Sequence, residues 1–354
     1  MTRVLLDKIA SVTARLQIGR HAVLGTDVPA AAGTVLACRV LNAKTNYNTL
    51  ENLHGRMVTL QPDDLIAGAL GHRDALHGFA GRVPDSVAVG DKLQLLNLGG
   101  VIGTGATSVP GLGSPFELEV LGAILHFPHF GERVGVPANI AAGALPAAPL
   151  PSRLPPVLVL AGTSMDSGKT TAAAAVVAGL TARSLRVAAG KMTGVSLRRD
   201  ILQMEDCGAS PVALFTDFGV VTTNEQNAVA AGHSLIAHLA ESEPDVIVLE
   251  LGDGLLGTYG VRALLSDTAF RRSITAMVLC AADPVGVWGA VQLLKDRWNL
   301  KPAVVSGPVT DSPVGQRFCR EELGFQAWNA LKSSKQLVRA VVSALGIKEP
   351  VAVA

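Results

Sequence analysis

The sequence predicts two domains of different class: a β-rich amino-terminal half, and an α/β carboxy-terminal half whose mostly parallel sheet is covered by helices. Three observations carry that expectation. Short β-prone runs separated by glycine- and aspartate-containing turns fill the first 135 residues. From Val157 onward, nearly continuous Val/Ile/Leu runs alternate with helical stretches, as buried parallel strands and their crossovers do. Between the two, residues 136–156 carry Pro137, Pro146, Pro149, Pro151, Pro155 and Pro156 among alanines. Each proline fixes φ and removes a donor, so neither a helix nor a central strand is expected there. The domains are therefore placed at 1–135 and 157–354, joined by a linker at 136–156.

In the first half, residues 33–41, 56–60, 78–83, 92–98 and 116–125 read as strands of a small barrel or sandwich. The run Leu95-Leu96-Asn97-Leu98-Gly99-Gly100-Val101-Ile102-Gly103 lets backbone approach closely, either to a ligand or at a barrel corner, and the corner is the simpler reading. In the second half, strands are expected at 157–161, 186–189, 212–215, 245–251, 273–280 and 303–306. Helices are expected at 169–183, 199–207 and 227–241, around Val261 and Val287, and twice more at the end.

Composition narrows the function. Of 354 residues, 49% are hydrophobic and 17% charged, which supplies packed cores and no sign of disorder. The net charge of +1 lacks the basic excess of a nucleic-acid binder, so no nucleic-acid partner is expected. Cys38, Cys207, Cys280 and Cys319 form no close pair, the usage of a reduced cytosolic chain. Charges interrupt the first residues, so no leader peptide is expected. The Ala/Val-rich run from Ala172 to Ala182 is too short to cross a bilayer. A cytoplasmic protein with no membrane partner is the expectation. His72 with His77, and His126 with His129, lack cysteine neighbours and read as turn or surface residues rather than metal ligands.

The informative segment is Leu158-Val159-Leu160-Ala161-Gly162-Thr163-Ser164-Met165-Asp166-Ser167-Gly168-Lys169-Thr170-Thr171. A buried strand runs into a glycine loop that closes on Gly-Lys-Thr at a helix start. Amide N–H groups of such a loop and the helix dipole both favour phosphate. Lys169 then reaches the β- and γ-phosphates, and the Thr170 hydroxyl takes a place on magnesium. The usual spacing wants glycine where Thr163 stands, and here Gly162 comes one residue early.

Three further strand ends offer partners. The run 245–251 delivers Glu250 at the carboxyl end of an apolar strand, where open α/β sheets collect ligands, and the residue is assigned to magnesium. Asp253 follows in a Gly-Asp-Gly turn and either shares that task or makes the turn. Lys191 ends another strand, as a cation for the γ-phosphate or a substrate carboxylate. Asp217 follows the strand at 212–215, as a second metal ligand or a turn residue.

The loop from Gly162 to Thr170 resembles that of dethiobiotin synthetase and its relatives, which include cobyrinate diamide synthase, within the SIMIBI class of P-loop proteins. That group also sets its first glycine one residue early and follows it with threonine. The resemblance implies that Lys191 works near phosphate and substrate, and that Glu250 is the magnesium-binding acid. It covers about 190 residues, from Val157 to the last helices. Ser164 stands where partition ATPases of the class carry a signature lysine, which disfavours that branch. No glutaminase-like domain follows, and dethiobiotin synthetase has no amino-terminal β domain. The two-domain arrangement is also similar to a P-loop family that includes a D-glutamate N-acetyltransferase.

Where guanine-specific proteins carry Asn-Lys-x-Asp, this chain has Ser306-Gly307-Pro308-Val309-Thr310-Asp311. ATP with Mg2+ is therefore the expected cofactor, and Ser306, Gly307 and Pro308 are a candidate wall for the base. The expected function is a MgATP-dependent ligase or kinase that phosphorylates a small carboxylate or amino acid, in the manner of the first half of an amide ligation. The alternatives are a nucleotide-driven switch or metallochaperone, and an acyl transferase whose P-loop holds the phosphates of an acyl-CoA. Resemblance further implies a homo-oligomer, most simply a dimer.

Overall fold

The computed structural model describes residues 2–129, 131–132 and 134–347; the expected domain spans extend beyond these at Met1, Phe130, Arg133 and 348–354. The chain divides into two compact units. The first holds residues 1–146 together with Val195–Arg199 and Thr216–Thr222, and the second holds the remainder. The division between Pro146 and Ala147 falls inside the proline-rich stretch. The two later segments counted with the first unit had no counterpart in the sequence reading, because no local signal marks a loop as belonging to a distant sheet.

The first unit is built on a nine-stranded sheet. In chain order its strands are β1 (Thr2–Leu5), β2 (Lys8–Ile9), β3 (His21–Gly25), β4 (Val35–Val40), β7 (Leu65–Leu70), β8 (Lys92–Leu95), β9 (Val101–Gly103), β10 (Phe116–His126) and β11 (Val136–Pro137), while β5 (Thr49–Glu51) and β6 (Met57–Thr59) form a separate hairpin. Strand β4 pairs with β7, β7 with β9, β9 with β8, β8 with β10, and β10 again with β4. The ring is closed, so of the two expected architectures the barrel forms. The eleven-residue β10 makes closure possible: it pairs with β8 through residues 116–119 and with β3 through 123–124 on one edge, and with β4 on the other. A bulge at Gly122 (φ 150°) bends it between the two. The core holds Leu36, Val40, Ile66, Leu70, Leu96, Ile102, Phe116 and Val120, all buried.

The glycine run takes the corner reading. A Cβ on Gly99 would strike the Ser196 carbonyl, and one on Gly100 (φ 92°) would strike Ala10, so two backbones meet where only glycine fits. The strand expected at 78–83 does not form; isolated bridges Arg73↔Gly81 and Arg82↔Thr104 stand in its place. Gly78 at φ 112° turns the chain out of the extended region. Within 136–156, a two-residue edge pairing and a 3-10 turn at Ile140–Gly143 form, capped by the Asn139 side chain.

The second unit is a seven-stranded sheet with every pairing parallel. Its strands are β12 (Val157–Gly162), β13 (Val187–Thr193), β14 (Val212–Leu214), β15 (Val246–Leu251), β16 (Ile274–Cys280), β17 (Val304–Ser306) and β18 (Gln326–Ala327), in the spatial order β14-β13-β15-β12-β16-β17-β18. The helices are α1 (Lys169–Thr181), α2 (Arg199–Asp206), α3 (Ala228–Ala240), α4 (Val261–Ser266), α5 (Thr268–Ser273), α6 (Pro284–Trp298), α7 (Pro313–Glu321) and α8 (Ser334–Leu345). Every residue of β12 and β15 is buried, which requires cover on both faces of the sheet. Helix α1 is apolar nearly all round because it lies between sheet and helix: it packs on β12 and β15 and on α8. Val338 of α8 fills the space that a side chain on Gly179 would need. Helix α6 starts at Pro284 with Asp283 accepting from the Gly286 amide, a local stop-and-start signal. The α/β expectation holds for this unit, with strand limits moved by one to four residues. No helix among the described residues is long and apolar enough to cross a membrane, and the four cysteines are unbridged.

Candidate nucleotide site

Strand β12 stands between β15 and β16 in the middle of the sheet, and its carboxyl end opens into the loop Thr163–Gly168. Two residues reverse the chain there: Asp166 at φ 57° and Gly168 at φ 88°. Gly168 is the residue before α1, and no side chain caps this helix. Its first hydrogen bond runs from the Ala172 amide to the Gly168 carbonyl, so the amides of Lys169, Thr170 and Thr171 have no partner within the helix. An uncapped helix start behind a curled loop is a cradle for an anion.

Lys169 is buried, and its ammonium folds back over the loop to donate to the Ser164 carbonyl at 2.8 Å and towards Ser167 Oγ at 3.4 Å. Gly162 lies under its stem, where a Cβ would meet Lys169 Cδ at 2.8 Å. This explains why glycine is needed one residue earlier than the usual spacing. The Thr163 amide donates to the Cys280 carbonyl at the end of β16, and the Leu255 amide to the Gly162 carbonyl. The loop is thereby tied to the end of β16 and to the segment that follows β15. Cys280 itself is sealed in, and burial pushes its thiol up to about 12, so it offers no nucleophile.

Register brings the other groups to the same level. Leu160 of β12, Glu250 of β15 and Lys191 of β13 are successive partners across three strands. The Thr170 hydroxyl donates to Glu250 Oε1 at 3.1 Å. The other carboxylate oxygen, Oε2, is buried without a hydrogen-bond partner. Burial first, then the negative charge of Asp200, raise the Glu250 carboxyl above the ordinary glutamate range; Lys191, Lys169 and the Thr170 hydroxyl pull it the other way. An orphaned carboxylate oxygen beside a threonine hydroxyl is the donor set that a hard cation with oxygen ligands would complete. The residues present therefore fit magnesium.

Lys191 is paired with Asp200, a residue the sequence reading passed over. Asp200 is buried in the first turn of α2, and its only legible signal was its place just past a helix start. It holds the lysine and raises Glu250 together. Asp200→Asn should therefore let Glu250 ionise at lower pH, and metal-dependent nucleotide binding should persist further into acid. Titration of magnesium-dependent nucleotide binding against pH tests this; a midpoint that stays put removes Asp200 from the site.

The remaining candidates divide. Gly307 lies against the loop: a Cβ on Gly168 would meet Gly307 Cα at 3.0 Å, and one on Gly307 would strike the Ser167 carbonyl. Ser306 Oγ is buried without a partner, and Pro308 opens a 3-10 turn. Gly307 and Pro308 thus pack against the loop that precedes α1. Gly254 packs on the opposite side, where a Cβ would meet the Thr163 carbonyl at 2.6 Å and Ser164 Cα at 2.8 Å. Asp253 is buried one residue earlier. Asp217 is counted with the first unit, and its carboxylate accepts from the Arg198 guanidinium at 3.0 Å; among the residues expected to hold metal, the contact seen is the one between Thr170 and Glu250.

No family model and no curated protein matches this chain. Among solved structures it is similar to the signal recognition particle receptor FtsY of Elizabethkingia anophelis in complex with GDP, at 12% identity and a TM-score of 0.33, over 55% of each chain. It is also similar to FtsY of Thermotoga maritima, at 14% identity and a TM-score of 0.37, over 55% of this chain and 70% of that one. A third is the signal recognition particle 54 kDa protein of Aeropyrum pernix K1 in complex with GDP, at 16% identity and a TM-score of 0.36, over 55% and 47%. The chain spans little more than half the length of the first of these. Likeness at this level says nothing about activity, and none of the three is a dethiobiotin synthetase.

Proposed function

We propose that the second unit binds a magnesium nucleotide and transfers its terminal phosphate to a small carboxylate. The observation that supports the nucleotide half is the meeting of Thr170 and Glu250 at 3.1 Å, one residue beyond a lysine folded over an uncapped helix start. Lys169 and the loop from Gly162 to Thr171 would hold the phosphates, with Ser306, Gly307 and Pro308 behind them. Thr170 and Glu250 would hold magnesium, which neutralises phosphate charge as a Lewis acid when bound. Lys191, held beside Glu250 by Asp200, places a second cation where charge develops during transfer or where an acidic acceptor would sit. ATP is the preferred nucleotide on the residues from Ser306 to Asp311, which lack the guanine-reading Asn-Lys-x-Asp. A homodimer belongs to the same proposal, by resemblance.

One observation favours a second reading. Gly254 touches Thr163 and Ser164, so the segment after β15 would feel any change in the phosphate loop, as in a nucleotide-driven switch. Incubation with MgATP or MgGTP and a panel of small mono- and dicarboxylic acids separates the two. The expected result is slow hydrolysis alone and at least about a tenfold rise in ADP with one acid, because such sites exclude water as acceptor. If no acid stimulates turnover and a protein partner does, the switch reading replaces the first.

A further inference from the structure

The β unit holds a concentration of positive charge that the phosphate loop does not use. Arg73 is only 7% exposed, and every partner it has is neutral. Its Nη1 donates to the Leu96 carbonyl and towards the Tyr47 hydroxyl at 3.4 Å, and its Nη2 makes a 3.4 Å contact with the His77 carbonyl. The guanidinium lies flat against Gly78, where a Cβ would meet Nη2 at 2.6 Å and Nη1 at 2.9 Å. A second cation is connected to it through two aromatic rings. The Lys44 ammonium donates to the Leu112 and Ser114 carbonyls and sits 5.0 Å from the centre of the Phe79 ring. Phe79 in turn meets Tyr47 edge-on at 5.7 Å. Lys44, Phe79, Tyr47 and Arg73 therefore form one continuous cluster, with two cations and no carboxylate bonded to either among the described residues.

Buried cations are costly unless an opposite charge or a full set of acceptors accompanies them. Carbonyls and a phenol satisfy part of the hydrogen bonding here and none of the charge. Among the described residues Arg73 Nε has no acceptor, and Nη2 has only the long contact to His77. That edge of the guanidinium is the fork that matches the two oxygens of a carboxylate. The same fork also matches a phosphate, which the titration below separates from a carboxylate. Burial also holds Lys44 below the ordinary lysine range, as expected of an ammonium without a counter-charge.

We propose that the β unit binds a small organic carboxylate on the Nε–Nη2 edge of the Arg73 guanidinium, within the cluster that also holds Tyr47, Phe79 and Lys44. The inference rests on the β unit alone and stands apart from the phosphate-loop reading. The competing account is architectural: Arg73 clips the turn at His77 and Gly78 to the end of β8 and binds nothing.

Calorimetric titration of the full chain with acetate, succinate and inorganic phosphate, without nucleotide, decides between them. The expected result is saturable binding of acetate or succinate that weakens at least about tenfold in Arg73→Lys and in Lys44→Met, since a charge-assisted hydrogen bond is lost in each. Lys44→Met is the safeguard should Arg73→Lys disturb folding, because Lys44 lies nearer the surface. Binding should persist in Lys169→Ala. The proposal is overturned if neither carboxylate binds saturably, or if phosphate binds more tightly than both. It is equally overturned if both β-unit variants bind like the parent, or if Lys169→Ala alone abolishes binding.

Discussion

Lys169→Ala is expected to lower nucleotide turnover by at least about a hundredfold, the scale seen when one preorganised donor to developing charge is removed, with the fold kept. The lysine contributes a buried ammonium whose protein partners are the Ser164 carbonyl and, more distantly, Ser167 Oγ. Its direct partners are groups of its own loop, so removing it costs the protein little beyond those hydrogen bonds and the pull it exerts on the Glu250 carboxyl. With phosphate in the cradle, the same ammonium is the nearest cation that the helix start cannot replace. Turnover and nucleotide affinity measured beside a melting curve check this. Parent-like turnover in Lys169→Ala would remove the whole phosphate-site reading, whatever the neighbouring groups do.

Glu250→Gln should have two opposite effects of comparable size. In the ligand-free protein the Glu250 carboxyl lies above its ordinary range, chiefly because it is buried and then because Asp200 is near. A raised folded-state value means that the neutral form is the one folding favours. The associated stability is complete below the ordinary glutamate range and is lost as pH rises through the raised value. Above the ordinary glutamate range the buried carboxyl is thus a burden that glutamine does not carry. The variant should melt higher than the parent there, by roughly 2–4 °C for each kcal/mol recovered in a unit of this size, and the gain should vanish in acid. Once magnesium and nucleotide are added, the order should reverse: the parent gains stability from a ligand that needs the carboxylate, and the variant does not. Turnover should fall by at least about a hundredfold, as expected when a metal worth several kcal/mol to the transition state is misplaced. A variant that keeps the parent's magnesium dependence would separate Glu250 from the metal.

These expectations show how unevenly the molecule could be read. Strand β12, its loop and α1 were legible because every signal lies within some twenty-five residues: an apolar run, glycines, Gly-Lys-Thr and an alanine-rich helix. Glu250 and Lys191 were legible as charged residues towards the carboxyl ends of apolar strands, since a parallel sheet presents such ends on one rim. Asp217 looked equivalent by that rule, and its pairing with Arg198 was not legible, because that partner is nineteen residues away and no period connects them. Asp200 was missed for the converse reason: nothing local distinguishes a helix-start aspartate that pairs with a strand-end lysine from one that faces water.

The β unit shows the same limit more strongly. Leu65–Leu70 is a central barrel strand, yet Leu-Ile-Ala-Gly-Ala-Leu has too few β-branched residues to announce one. Residues 78–83 have the alternation of a strand and instead turn around a guanidinium. The sequence by itself determined the class of each half, the phosphate loop and the acid that faces it, because those depend on apolar periodicity and on glycine and lysine at short fixed spacing. Tertiary structure alone decided the closure of the barrel through β10, the pairing of Lys191 with Asp200, the pairing of Asp217 with Arg198, and the burial of Arg73 without a counter-charge among the described residues. Each of these is set by which distant backbone or charge is brought within a few ångströms, and a linear pattern carries no record of that.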